Sequence, residues 1–326
     1  MRRRLRCGRV LARTALVFGV LAVPSPARAE QGLDRSFSGG AEASGIYIRY
    51  GIPGFLAVED FLDGGGPVAQ AAFNADGTSQ SFASWPYPGG TLVNYPGLAA
   101  VVLGSAPPGY PLYASASYPT QPEQKVNDPS GTYRLSAAAD DRDSASEAVA
   151  SVPQDPEKAP MVTRAESRVG TVDGSVTATA VSLTRGFAVG PLSIAVVKST
   201  AVTRYRNGAD HALTETTLVI EGGRAGDLSF RFGPGGLEVA DQRGPVAVGE
   251  GLSRLNSALA PAGLSVAFSD SRDTEGGAAA AALEIVSAAE VPGAGHGTLR
   301  IRLGGVHSWI RLGSGGQPAP ATASGV

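Results

Sequence analysis

A chain of 326 residues with one cysteine, three histidines and three lysines carries few of the side chains on which catalysis and metal binding rest. Cys7 is the lone cysteine, and once the segment containing it is removed no disulfide, thiolate ligand or thiol nucleophile remains. His211, His296 and His307 are far apart, without the short-spaced pairing usual in zinc sites. No G-x-S-x-G elbow and no G-x-x-x-x-G-K-[ST] phosphate loop occurs. Aromatic residues make up only 6% of the chain. The apolar run Thr14–Val23 is shorter than the roughly 20 residues that a membrane-spanning helix needs. These absences predict no cofactor and leave side-chain burial as the means of holding the fold together.

The N-terminus has the layout of an export signal over residues 1–29. Arg2, Arg3, Arg4, Arg6, Arg9 and Arg13 precede the apolar run, Pro24 and Pro26 end it, and Ala27-Arg28-Ala29 has the small-x-small form of a cleavage site. Arg2-Arg3-Arg4-Leu5 also allows a twin-arginine route. Removal of 1–29 takes away seven arginines and no acids, so the mature chain has 20 basic and 29 acidic residues and a net charge of −9. Binding to nucleic acid or to an anionic lipid surface depends on clustered Lys and Arg, and this balance argues against both. The location predicted is secreted, either extracellular or in the cell envelope, with no transmembrane anchor in the mature chain.

Beyond the signal the chain changes character once. Residues 30–44 are small and polar and read as a flexible segment. Residues 45–133 hold 13 of the 21 aromatics among many prolines and glycines, and read as irregular. Residues 134–312 are dominated by Ala, Val, Thr, Ser and Gly, and 313–326 read as a disordered tail. "VPQDPEKAP", 152–160, reads as a surface loop.

The 134–312 region alternates in arm–turn–arm units. Turns are expected at Asp140–Asp143, at Asp173-Gly174 and at Asn207-Gly208. Leu192, Ile194 and Val196 are placed on one face of an arm; Thr214, Thr216, Leu218 and Ile220 on one face of the next. Such short turns join antiparallel neighbours. Further strands are expected at 228–232, 237–240, 264–269, 279–288, 297–303 and 306–311. Leu252, Leu255 and Leu259 recur at helical spacing and predict one helix near 249–261, with Gly263 as a left-handed cap. The predicted fold class is mainly β, or α+β: a curved antiparallel β-meander packed on one amphipathic helix, with the irregular aromatic-rich N-terminal region folded over it.

Two sets of residues have the chemistry of a site. Trp85, Tyr87, Tyr95, Tyr110 and Tyr113 offer rings for stacking on sugars or lining an apolar groove; packing in a Pro-rich segment accounts for the same rings and is the favoured reading. Glu59, Asp60 and Asp63, ahead of three glycines, offer oxygen ligands for a cation such as Ca²⁺; a solvated turn accounts for them equally and is favoured.

"SQSFASWPYPG", "PGYPLYASASYP", "YRLSAAADD" and "GPLSIAVVKSTAVTRYRNG", in that order, resemble a group of uncharacterised secreted actinobacterial proteins. "LNSALAPAGLSV" after a set of Ser/Thr/Val strands is similar to cell-surface proteins of the choice-of-anchor type. The resemblance implies a place at the cell surface and supplies no catalytic residues. The leading expectation is an exported, non-enzymatic protein of the cell exterior or envelope with a structural or binding role, and cell-wall glycan or lipid as partner. Two alternatives stand beside it: a carrier of an apolar ligand such as lipid in a groove between sheet and helix, and a hydrolase whose serine or carboxylate site is assembled only by folding.

Overall fold

The computed structural model describes residues 33, 35–53, 62–88, 112–153, 159–240, 244–291 and 295–313, all within the unit that spans Gly32–Val326. The export signal, most of the 152–160 loop, the tail beyond 313, and Glu59, Asp60, Tyr95 and Tyr110 lie outside the described residues.

Among the described residues the fold is mostly antiparallel β, in two sheets, with a single short helix. Nine strands follow one another as a meander: β6 (Glu123–Asn127), β7 (Tyr133–Ala139), β8 (Asp143–Val152), β9 (Met161–Val172), β10 (Ser175–Val189), β11 (Leu192–Arg206), β12 (Leu213–Ala225), β13 (Leu228–Gly233) and β14 (Gly236–Val239). All three expected turns are present. At the tightest, Asp173 and Gly174 both take positive φ (47° and 71°), the pairing that a two-residue hairpin turn requires. Burial alternates along the arms, with Ser144, Ser146, Ala148 and Ala150 inward on β8. On β11 the phase slips: Leu192 and Ile194 face inward as expected, but Val197 is buried and Val196 faces out. From Val197 on, the odd-numbered residues carry the buried face.

The second sheet contains both ends of the described chain. β1 (Phe37–Gly51), β2 (Leu62–Asn74), β3 (Ser79–Ser84), β4 (Tyr87–Pro88) and β5 (Tyr113–Tyr118) come before the meander; β15 (Leu264–Phe268), β16 (Arg272–Thr274), β17 (Gly277–Ala279), β18 (Leu283–Val291) and β19 (Gly295–Leu312) come after it. Its order is β15-β18-β19-β1-β2-β3-β5, with β16 on β17, β17 on β19 and β4 on β2. The N-terminal region is therefore more regular than its composition predicts, and 37–44 is strand where a flexible segment is expected. The reason is packing. The inward residues of β1 include Gly39, Ala41 and Ala43, which carry little hydrophobicity but permit very close approach. The two strands expected at 297–303 and 306–311 are one continuous β19, and 279–288 divides into β17 and β18.

The two sheets lie unusually close. Sheets commonly stack at about 10 Å, but here serine and threonine hydroxyls of the meander donate directly to main-chain carbonyls of the other sheet. Ser146 Oγ reaches Gln70 O at 2.8 Å, Ser167 Oγ reaches Ala69 O at 2.9 Å, and Thr203 Oγ1 reaches Ser308 O at 3.0 Å. Ser81 Oγ of β3 returns the contact to Ala138 O at 3.0 Å. A serine side chain is too short to span an ordinary inter-sheet gap. The interface is filled by small residues: Ala41, Ala69, Ala165, Ala178 and Ala201 are all buried.

Larger side chains gather where the helix sits. α1 (Val248–Leu259) crosses from β14 to β15, joining the two sheets. Leu255 and Leu259 are fully buried in a cluster with Leu237, Leu264, Val266 and Ile220. The α-helix stops at Leu259 rather than 261, because Pro261 lies in the 3-10 turn Ala260–Ala262 that follows; Gly263 then takes the left-handed cap (φ 67°). On α1, Asn256 points at the edge strand β15: its Nδ2 donates to Val266 O (3.1 Å) and its Oδ1 accepts from Val266 N–H (2.7 Å). The amide thereby pairs with that edge as a neighbouring strand would. No helix among the described residues is long and apolar enough to cross a membrane.

Candidate functional site

The outer face of the meander carries a groove of about 430 Å³ across β6–β10. Strand register sets the outward side chains of this face in rows, and the groove runs over the first two and Arg164 of the third. One row runs Glu123, Ala138, Ala145, Arg168, Thr179; the next runs Lys125, Ser136, Glu147, Glu166, Val181; the third runs Asn127, Arg134, Val149, Arg164, Leu183. These residues face outward because their neighbours in sequence supply the inter-sheet layer.

Glu147 and Glu166 stand directly opposite each other on β8 and β9, an arrangement that is repulsive by itself. Arg164 resolves it. Its Nε lies 2.9 Å from Glu147 Oε1 and its Nη2 pairs with Glu166. Arg134 Nη2 approaches the same Glu147 oxygen at 3.3 Å. Arg168 pairs with Asp143 at 2.7 Å, and that hydrogen bond pushes the guanidinium pKa upward. The acids lie lower than the bases: Asp143 and Glu147 are each 26% exposed, Arg134 and Arg168 62% and 70%. The carboxylates thus act as a floor that fixes the guanidinium groups above it. Exposed pairs of this kind contribute about 0–1 kcal/mol each to stability, so stability alone gives little reason for so dense a network.

A second polar cluster occupies the outer face of the other sheet. His307 on β19 stands opposite Glu42 on β1. Its Nε2 is 2.9 Å from Thr274 Oγ1, and its ring stacks on Trp309 with centroids 4.9 Å apart. Burial lowers the His307 pKa, and Arg272 and Arg311 lower it further; burial raises that of Glu42. Trp309 has glycines as partners on both sides, Gly40 on β1 and Gly277 on β17, and a Cβ on Gly40 would overlap the indole.

The residues singled out in the sequence lie elsewhere. Trp85 is half-buried against the cluster of Ala83, Ala114 and Leu135, and its main-chain N–H donates to Leu112 O at 3.1 Å. Tyr113 is 46% exposed and stacks on Phe82, centroids 5.8 Å apart. Tyr87 pairs through its backbone with Gly65. Asp63 accepts a hydrogen bond from Tyr47 Oη at 3.0 Å; burial foremost, and then this bond, raises the Tyr47 pKa. Among the described residues no group of three or more His, Cys, Asp or Glu is placed to hold a metal ion. Neither the groove nor the His307 cluster is announced by a motif. Each is made from residues on separate strands, and the one sequence signal for the first is the alternation Arg164, Glu166, Arg168 on one arm.

Compared with protein-family models, with curated proteins and with solved structures, the chain matches none.

Proposed function

We propose that the chain is an exported, non-enzymatic protein of the cell exterior or envelope, and that it works by binding, with the outer face of the meander as its binding surface. The observation that carries this reading is the groove across β6–β10, where partly buried carboxylates hold Arg164 and Arg168 in place on long paired strands. Function is most precise on rigid elements with supported side chains. Export rests on the 1–29 segment, and the absence of thiols from the chain beyond it agrees with a fold held by side-chain packing without disulfides.

Incubation of the purified mature protein with cell-wall glycans, lipid vesicles and whole cells tests the reading; retention by none of the three leaves only a structural role. Sequencing the N-terminus of protein recovered from culture fluid tests export, with Glu30 expected as the first residue.

One observation favours the hydrolase alternative, the 2.9 Å contact between Thr274 Oγ1 and His307 Nε2. A hydroxyl bonded to a half-buried neutral imidazole is the first pairing that acyl transfer needs. Fluorophosphonate labelling of Thr274 would support it, and a protein left unlabelled would not. The carrier alternative draws less support, since Leu255 and Leu259 of α1 are already fully buried where an apolar ligand would have to lie.

A further inference from the structure

We infer that the groove across β6–β10 takes an uncharged oligosaccharide chain lying across the strands. This rests on the binding role proposed above and names the class of ligand.

Charge cancels in the groove. Glu123, Glu147 and Glu166 are balanced by Lys125, Arg164 and Arg168. A polyanion or a polycation meets as much repulsion as attraction there, and the net charge of −9 on the mature chain opposes a polyanion further. A lipid tail is excluded on different grounds, because it would strip water from six charged groups.

What the groove does offer is donors and acceptors side by side. Arg164 gives two of its five N–H groups to Glu147 and Glu166, and the remainder stay available along with carboxylate lone pairs. A sugar hydroxyl donates and accepts at once, so a lattice of neutralised Arg–Glu pairs matches a polyol without any net charge on the ligand. Ser136, Ala138 and Ala145 lie between the charges and are small, which leaves a shallow floor on which ring C–H faces can rest. From β6 to β10 the groove spans about 19 Å at the usual strand spacing, longer than a single sugar ring.

The test is calorimetric titration of the purified mature protein with two neutral tetrasaccharides, maltotetraose and the N-acetylglucosamine tetramer, and with tetragalacturonate as the acidic counterpart. One of the neutral chains is expected to bind with an affinity insensitive to salt. Arg164→Gln and Glu147→Gln are expected to weaken it by about tenfold or more. Arg231→Gln, in the comparable Arg231–Glu238 pair between β13 and β14, leaves it unchanged. Both groove substitutions lie on the outer face, and thermal melts confirm that the variants fold. Preferential, salt-sensitive binding of tetragalacturonate overturns the inference, as does neutral binding indifferent to both groove variants. If no saccharide binds while cells or vesicles still retain the protein, the ligand class is wrong and the binding role stands; if nothing retains it, both fall.

Discussion

Replacing Asn256 by alanine tests whether one side chain guards a sheet edge. Asn256 makes two hydrogen bonds to the main chain of Val266, at 2.7 and 3.1 Å, in a partly buried position. Each such bond contributes about 0.5–1.5 kcal/mol, and both Val266 groups lose their partner together, so the loss comes to about 1–3 kcal/mol. Alanine is the better helix former and returns about 0.5 kcal/mol. The net destabilisation expected is therefore about 0.5–2.5 kcal/mol, a fall in Tm of up to about 5 °C for a domain of this size. Denaturant titration against wild type measures it. Ser257→Ala is the control, because that hydroxyl donates to Ser253 O on the exposed helix face and its loss changes stability by less than about 0.5 kcal/mol. An Asn256→Ala protein as stable as wild type would falsify the account of the β15 edge. An increase in self-association of the variant, read by light scattering, is the companion effect, since an uncovered edge pairs with other chains.

Three further predictions follow from the close-set sheets and the His307 cluster. Gly45→Ala drives a Cβ into Thr163 Oγ1 and towards Pro67, and is expected to cost about 1–3 kcal/mol by denaturant titration; adding Thr163→Ala recovers part of it, and no recovery means the clash is elsewhere. Ser167→Ala removes the donor to Ala69 O at 2.9 Å and lowers stability by about 1 kcal/mol, whereas Ser167→Val is worse because the added methyl groups have no room. His307 has a folded-state pKa below its ordinary 6.5, so the unfolded chain binds the proton more readily and stability falls as pH drops below 6.5; Glu42 has a pKa raised above 4.5, so its contribution is complete below 4.5 and is lost as pH rises through the folded value. His307→Gln flattens the first slope and Glu42→Gln the second, measured as ΔG of unfolding between about pH 4 and about pH 8.

The hairpins of the meander were legible because each carries both halves of its signal. Asp173-Gly174 sits between arms whose Ala, Val and Leu positions repeat every second residue. The helix was legible from Leu252, Leu255 and Leu259, though its last turn needed the geometry of Pro261. β1 and β2 were not, because Gly39, Ala41, Ala43, Ala69 and Ala71 are inward by virtue of smallness, and a pattern of small residues looks the same in a loop. The groove was hidden for another reason. Glu147 and Arg164 are 17 positions apart, and only the register of β8 on β9 sets them at 2.9 Å. Glu42 and His307 meet across the pairing of β1 with β19, a separation that no local spacing rule spans.

That last pairing has a consequence for the order of assembly. A ribosome delivers Phe37–Gly51 some 240 residues before the strand that becomes its partner along nearly its whole length. Until Gly295–Leu312 arrives, the middle of the larger sheet is a gap, and within that sheet the early strands pair only with one another. Closing so long a loop makes folding slow, and a chain cut short of its final strand is expected to be a substrate for proteases rather than a smaller version of the protein.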